Sequence, residues 1–335
     1  MENKIVAYGE MMIRLVSPLG VTLAESPRYD AYYGGTEGNT LILLSAFGEK
    51  TSYVTAFPDN PLGQGAVRFL KNKGVDTSHV ILKPNSRIGL YYYENNFGQR
   101  NPKVVYDRAH SAIRELKDVE VNATEILSDA TWFHVTGISF SIGENARNVA
   151  YSLLNEAKRR NLPVSFDFNY RSTLISKEDA HQLYLDIVPK VDYLFGSIRD
   201  IVDLLELKEV KSEETIIQEF FAKYPVKVFA ITKKASNDNS FLEMSAEMYV
   251  REDGSVKKYV TEKISFAVLD GVGGGDCFTA GVIEGFLENP KDHLEALRFG
   301  LACDVLKHSV PSDTLSLDKE TVKRYLLETK RGILR

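Results

Sequence analysis

Four glycines fall within five residues in the run Asp270-Gly-Val-Gly-Gly-Gly-Asp276-Cys-Phe278, and an apolar stretch with helical spacing follows. Glycine lets a backbone turn sharply and approach a ligand with no Cβ in the way. Successive amides at the start of a helix then face one point, where the helix dipole favours negative charge. Such a nest can hold the charge that develops on a phosphoryl group in transfer. A carboxylate at its mouth, Asp276, can take the proton of an attacking hydroxyl, a role worth roughly 10²- to 10⁴-fold in rate. The competing reading is a glycine loop before a helix, with Asp276 as its N-cap. The run alone leaves both open. It is not a Walker A loop, because no Lys-Ser or Lys-Thr follows the glycines. Nor is it a dinucleotide fingerprint, because Asp276 fills the last position of Gly-x-Gly-x-x-Gly.

Two arginines are the next candidates. A guanidinium is a planar fork of donors that matches a carboxylate bidentately. Arg108 stands in Val105-Tyr-Asp-Arg108, and Arg171 in Asp167-Phe-Asn169-Tyr-Arg171. Arg171 lies just past a strand-like run, the place where ligands bind in open α/β sheets. On their own these residues also read as an exposed strand position and a loop salt bridge.

The elements that must position these groups alternate. Strand-like runs at Ile5–Tyr8, Tyr53–Ala56, Trp132–Thr136, Val164–Asp167, Tyr193–Gly196 and Val228–Thr232 are separated by helical patterns. Helices are expected at Glu37–Phe47, Gly63–Lys73, Ala146–Arg160, Glu178–Lys190, Glu213–Lys223, Asp276–Leu287, His293–Leu306 and Lys319–Lys330. In Ala146–Arg160, for example, Val149, Leu153, Leu154 and Ala157 share one face. The alternation predicts a three-layer α/β/α domain with a mostly parallel sheet covered on both faces. Met11–Tyr33 and Gly89–Arg108 break the rhythm. Each reads as strands without a helix between them, the second as a hairpin turning through Asn95–Gly98. These strands are expected to form a small β lid. With no repeat, low-complexity tract or linker, residues 1–335 read as one domain.

The chain has 335 residues, 44% hydrophobic and 26% charged, which fits a packed globular protein. A net charge of −5 gives no electrostatic reason to bind nucleic acid. Two cysteines, Cys277 and Cys303, make no disulfide framework and suit a reducing compartment. No signal-peptide pattern and no membrane-length apolar run are found, so a cytoplasmic protein is expected.

These motifs resemble those of the ribokinase-like, PfkB-type carbohydrate kinases. The family signature Asp-Thr-x-Gly-Ala-Gly-Asp-x-Phe stands here as Asp270 to Phe278, with Gly271 for Thr and Gly274 for Ala. Tyr33-Gly34-Gly35-Thr36-Glu37-Gly38-Asn39 resembles the family's Gly-Gly…Asn element. Asp59-Asn-Pro-Leu-Gly63, Leu70 and Gly74-Val75 resemble its Asp-x-x-Gly…Leu…Gly-Val stretch. Within the family, Gly9-Glu-Met-Met-Ile-Arg14, Tyr106-Asp-Arg108 and Leu306-Lys307-His308…Asp313 are similar to segments of the 2-keto-3-deoxygluconate kinases.

The resemblance implies ATP and Mg²⁺ as cofactors and a sugar acid as acceptor. Asp276 would be the base, served by the amides of Gly273, Gly274 and Gly275. Gly34, Gly35, Thr36, Gly38, Asn39, Tyr91, Tyr106, Arg108, Arg171 and Asp313 would meet the sugar. Asn169, Arg171, Ser197, Thr232, Lys233, Gly273 and Gly275 would meet the nucleotide, and Asp200 the metal. A homodimer or larger assembly through the lid is also implied. One segment departs from the family: Ser197-Ile-Arg-Asp200 stands where Asn-x-x-Glu is usual. Two rivals remain on the sequence, a kinase for a neutral sugar such as fructose or ribose and a non-catalytic sugar-binding protein of the same fold.

Overall fold

A computed structural model describes residues 2–95, 100–207, 212–238 and 241–327. The chain opens with β1 (Lys4–Tyr8), leaves the main sheet for β2 (Met12–Val16) and β3 (Asp30–Gly34), and returns as β4 (Lys50–Pro58) and β5 (Val80–Lys83). It leaves again for β6 (Leu90–Glu94) and β7 (Lys103–Asp107). It then runs through β8 (Trp132–Thr136), β9 (Val164–Asp167), β10 (Tyr193–Gly196), β11 (Val228–Asp238), β12 (Phe241–Glu252), β13 (Ser255–Val260) and β14 (Ile264–Ala267). The main sheet has the order β13-β12-β11-β10-β9-β8-β1-β4-β5, with β14 also paired to β12. From β11 to β5 every pairing is parallel; β12, β13 and β14 pair antiparallel.

Side chains alternate across β1 as strand geometry requires. Ile5 and Ala7 face a core built with the helices Thr36–Ala46, Gly274–Glu288 and His293–Lys307. Val6 and Tyr8 face a second core built with Glu144–Arg159, Lys177–Ile187 and Glu213–Lys223. All four are fully buried. A strand buried on both faces reads as a continuous apolar run rather than an alternating one, as Ile5–Tyr8 does. Val149, Leu153, Leu154 and Ala157 are also fully buried, on the face their spacing gave them.

The expected lid is present. β3, β2, β6 and β7 form a separate four-stranded sheet, in which β2 and β6 run parallel and the outer pairs antiparallel. The β6–β7 pairing is a hairpin with Tyr91 opposite Tyr106; residues 96–98 of its expected turn lie outside the described residues. The last expected helix is seen as Lys319–Leu327, and its remaining positions to Lys330 also lie outside them. β12, β13 and β14 are an addition to the sequence expectation. They form an antiparallel edge to the sheet, in which β13 and β14 each pair with a different part of β12, and such an edge needs no crossover helix and so escapes a search for alternation. Among the described residues no helix is long and apolar enough to cross a membrane.

Candidate active site

A cleft of about 520 Å³ lies between the carboxyl ends of the parallel strands and the lid. Its wall includes Asp276, Gly273 and Gly275 from the glycine run, Asp167 at the end of β9 with Asn169 and Arg171 beyond it, and Asp200. From the lid and the segments beside it come Glu10, Gly34, Gly35, Tyr91, Tyr106 and Arg108, with Thr36, Asn39, Thr232 and Asp313 completing the predicted positions on the wall.

Four predicted positions lie off it. The Gly38 Cα faces the Met11 and Tyr53 side chains inside the core. Gly274 backs onto Asp304 and His308, beneath the loop rather than above it. The Ser197 hydroxyl caps the helix Ile198–Leu205, accepting from the Asp200 amide at 3.1 Å. Lys233 pairs with Glu213 at 2.7 Å and with Glu247 at 3.6 Å. The solvated charge cluster that holds Lys233 could not be seen in sequence, because Glu213 is 20 positions away on a helix and Glu247 sits on the neighbouring strand.

The helix Gly274–Glu288 begins immediately after Gly273, whose φ of 85° is a left-handed value that glycine adopts freely. A Cβ on Gly273 would collide with the Asp313 carbonyl, whereas one on Gly275 would meet nothing within 4 Å. The loop is thus packed on one side and open to the cleft on the other, the shape needed for amides that receive phosphate oxygens. Asp276 sits in the first turn, 9% exposed. Asn39 Nδ2 donates to its Oδ2 at 2.7 Å. Burial pushes the Asp276 carboxyl up to about 8, the nearby charges of Asp167, Glu37 and Asp313 add to the rise, and the Asn39 bond opposes it. A carboxyl titrating near neutrality is matched to proton transfer from an alcohol.

Sequence reasoning missed the group that anchors the helix turn on which Asn39 stands. Glu37, fully buried, accepts from Thr136 N at 3.1 Å, Thr136 Oγ1 and Ser139 Oγ at 2.8 Å each, and Thr36 Oγ1 at 2.7 Å. These bonds tie the start of the Thr36–Ala46 helix to the end of β8. The available signal was an acidic residue inside an otherwise small and polar turn, two positions before Asn39.

Glu10 was missed too. Its carboxylate accepts from Arg108 Nε at 2.8 Å and from Arg108 Nη2, and from Ser111 Oγ at 2.6 Å. None of these contacts uses Arg108 Nη1. Arg171 donates through Nη1 to the Tyr170 carbonyl at 3.1 Å and stands exposed at the cleft wall. Asp313 accepts from the Tyr91 hydroxyl and pairs with Arg14 Nε at 3.1 Å.

Asp167 and Asp200 form the acidic part of the floor. Burial pushes the Asp167 carboxyl up to about 6, and the charge of Asp200 adds to it. Burial also raises Asp200, against hydrogen bonds from Ser197 N and Oγ at 2.8 and 2.7 Å. Among the described residues no three His, Cys, Asp or Glu side chains converge as a metal cage. Two half-buried, mutually repelling carboxylates do fit a hydrated Mg²⁺ carried by phosphates, which usually takes only one or two protein ligands.

With this geometry in hand, the chain matches the model of the pfkB family carbohydrate kinases over residues 2–320. It belongs to that family. Among solved structures, this PfkB kinase superposes on a 2-dehydro-3-deoxygluconokinase from Thermotoga maritima with a TM-score of 0.92 and 32% identity, covering 98% of this chain and 100% of that one. It is 29% identical over 99% of both chains to a 2-dehydro-3-deoxygalactonokinase from Haloferax volcanii. A provisionally named ribokinase II from E. coli, in complex with ATP and Mg²⁺, shares the fold with a TM-score of 0.84 at 17% identity, covering 97% of this chain and 99% of that one. The fold is the ribokinase-like α/β architecture with a small lid sheet.

Proposed function

We propose that this PfkB kinase transfers the terminal phosphoryl group of ATP to the 6-hydroxyl of 2-keto-3-deoxygluconate, as a single kinase domain with its lid. The observation that carries the reading is the meeting, in one cleft, of Asp276 beside an open glycine loop with two guanidinium groups, Arg108 and Arg171. Asp276 accepts the hydroxyl proton as the oxygen attacks phosphorus. The amides around Gly273 and Gly275 hold the equatorial oxygens of the moving group, where they need no reorganisation. Tyr91 and Tyr106 cover the sugar from the lid, and lid closure excludes water that would otherwise intercept the phosphoryl group. Arg171, with Nη1 of Arg108, receives the acid end of the sugar. Mg²⁺, carried with ATP and held near Asp167 and Asp200, would neutralise phosphate charge.

A second reading has its own support: the Haloferax relative is named for the galacto epimer of the acid. A homodimer through the lid belongs to the same proposal. β7 is an edge strand whose Val104 and Val105 are exposed, an edge that a second copy would cover. The deciding experiment measures ADP release with Mg²⁺ and ATP for 2-keto-3-deoxygluconate, its galacto epimer, fructose and ribose, with the product analysed by ³¹P NMR. A 6-phosphate formed at least about tenfold faster from a keto acid than from either neutral sugar is expected. Preference for fructose or ribose would overturn the acid assignment, and binding without turnover would favour a non-catalytic protein.

A further inference from the structure

Arg14 lies in the middle of lid strand β2, paired in register with Tyr32 on β3 and Tyr91 on β6. Its side chain is fully buried. The guanidinium carbon lies 5.3 Å from the Tyr32 ring centre and 5.1 Å from that of Tyr93, so the group is sandwiched by lid aromatics. Its donors leave the lid. Nη1 donates to Asp270 Oδ1 at 3.3 Å and Nη2 to Asp270 Oδ2, while Nε pairs with Asp313 Oδ1 at 3.1 Å.

The two carboxylates it reaches stand at the two supports of the glycine loop. Asp270 is the residue from which the loop departs, and its Oδ1 also accepts from the Val272 amide at 3.0 Å. The Asp313 carbonyl is what Gly273 packs against. Lys307 Nζ, also fully buried, donates to the Asp270 carbonyl at 3.0 Å from below. Two basic and two acidic side chains are thus buried together where lid, loop and C-terminal segment meet. A planar fork that donates both Nη groups to Asp270 still keeps its Nε edge within ion-pair distance of Asp313; an ammonium on a flexible stem cannot fix both geometries.

We infer that Arg14 is a positioning residue for phosphoryl transfer: it latches the lid sheet to both supports of the anion-binding loop, so the loop amides are aimed only when the lid is docked. The inference rests on the reading of that loop as the phosphoryl-holding element. It requires no contact between Arg14 and substrate, and Arg14 is absent from the cleft wall.

The test uses Arg14→Lys, which keeps the charge but loses the fork, and Arg14→Met combined with Asp270→Asn, which removes both charges of the tightest pair and keeps an acceptor for the Val272 amide. Circular dichroism and thermal melts establish folding. Each variant is expected to lose at least about tenfold in kcat, with KM for the sugar changed less than about threefold, and the Lys variant to retain more activity than the double variant. Amide hydrogen exchange of the 271–276 segment is expected to accelerate at least about tenfold in the double variant. Wild-type kcat with unchanged exchange in that segment, in either folded variant, overturns the latch. Asp276→Asn is run beside them: wild-type turnover there would sink the site reading instead, while the exchange measurement still judges the latch.

Discussion

Replacing Asn39 by Ala removes the hydrogen bond that favours the ionised form of Asp276. A hydrogen bond to a charged group contributes about 1.5–3 kcal/mol, and about 1.4 kcal/mol corresponds to one pH unit. The Asp276 carboxyl, already held at about 8, therefore moves about one to two pH units higher. Asp276, as the proposed base, works only when ionised, so kcat/KM is expected to fall on the acid side of this titration, and the substitution to carry that limb to more alkaline pH. At pH 7 the ionised fraction, and kcat/KM with it, drops roughly 10- to 100-fold. At pH values above the displaced limb the variant approaches wild-type rates. The assay is kcat/KM for the sugar against pH at fixed saturating ATP and Mg²⁺. Asp167→Asn gives the opposite sign, because the charge of Asp167 raises Asp276 and its removal shifts the limb toward acid. A limb that stays put in Asn39→Ala, or a plateau lowered equally at every pH, would refute the electrostatic reasoning.

Asp276→Asn should lower kcat at least about 10²-fold with substrate affinity largely kept, measured by steady-state turnover and calorimetric binding. It should also change stability with pH. A carboxyl raised on folding binds more protons folded than unfolded, so wild-type stability declines as pH rises from the unfolded carboxylate range through about 8. The Asn variant lacks that decline and should melt higher than wild type at pH 9. Gly273→Ala should cost about 1–2 kcal/mol for the left-handed backbone, more with the Asp313 carbonyl in its way, and lower Tm by several degrees. Gly275→Ala has open space, so its Tm should hold while its methyl enters the cleft and turnover falls. Arg171→Met should reduce kcat/KM for the keto acid by roughly 10- to 150-fold, from about 1.5–3 kcal/mol of charge-assisted bonding. An analogue without the carboxylate should lose little; equal losses on both would place Arg171 on the nucleotide instead.

Much of this architecture is local in origin and so legible in the chain. The apolar runs of β1, β8 and β9 and the helical faces between them are short-range patterns, and two-sided burial of a parallel sheet follows from them. Asp276 and the glycines before it are contiguous, so the glycine loop and the carboxylate in its first helical turn could be read together. The lid strands were visible because Met11–Tyr33 and Gly89–Arg108 lack a helix. The antiparallel edge strands β12, β13 and β14 were not, because nothing in an isolated strand states whether its neighbour runs parallel or antiparallel.

What sequence could not supply is the partner of each charge. Arg108 reads as a free guanidinium until Glu10, 98 positions earlier, takes two of its donors. Arg14 reads as an ordinary strand residue until folding sets it against Asp270, 256 positions away. The amino-acid order determined the helices, the strands and the glycine nest, because those depend on neighbours within a few residues. The tertiary structure decided which carboxylates are neutralised, which guanidinium stays open to a ligand, and how high Asp276 titrates, because burial and Coulomb interactions depend on distance in space.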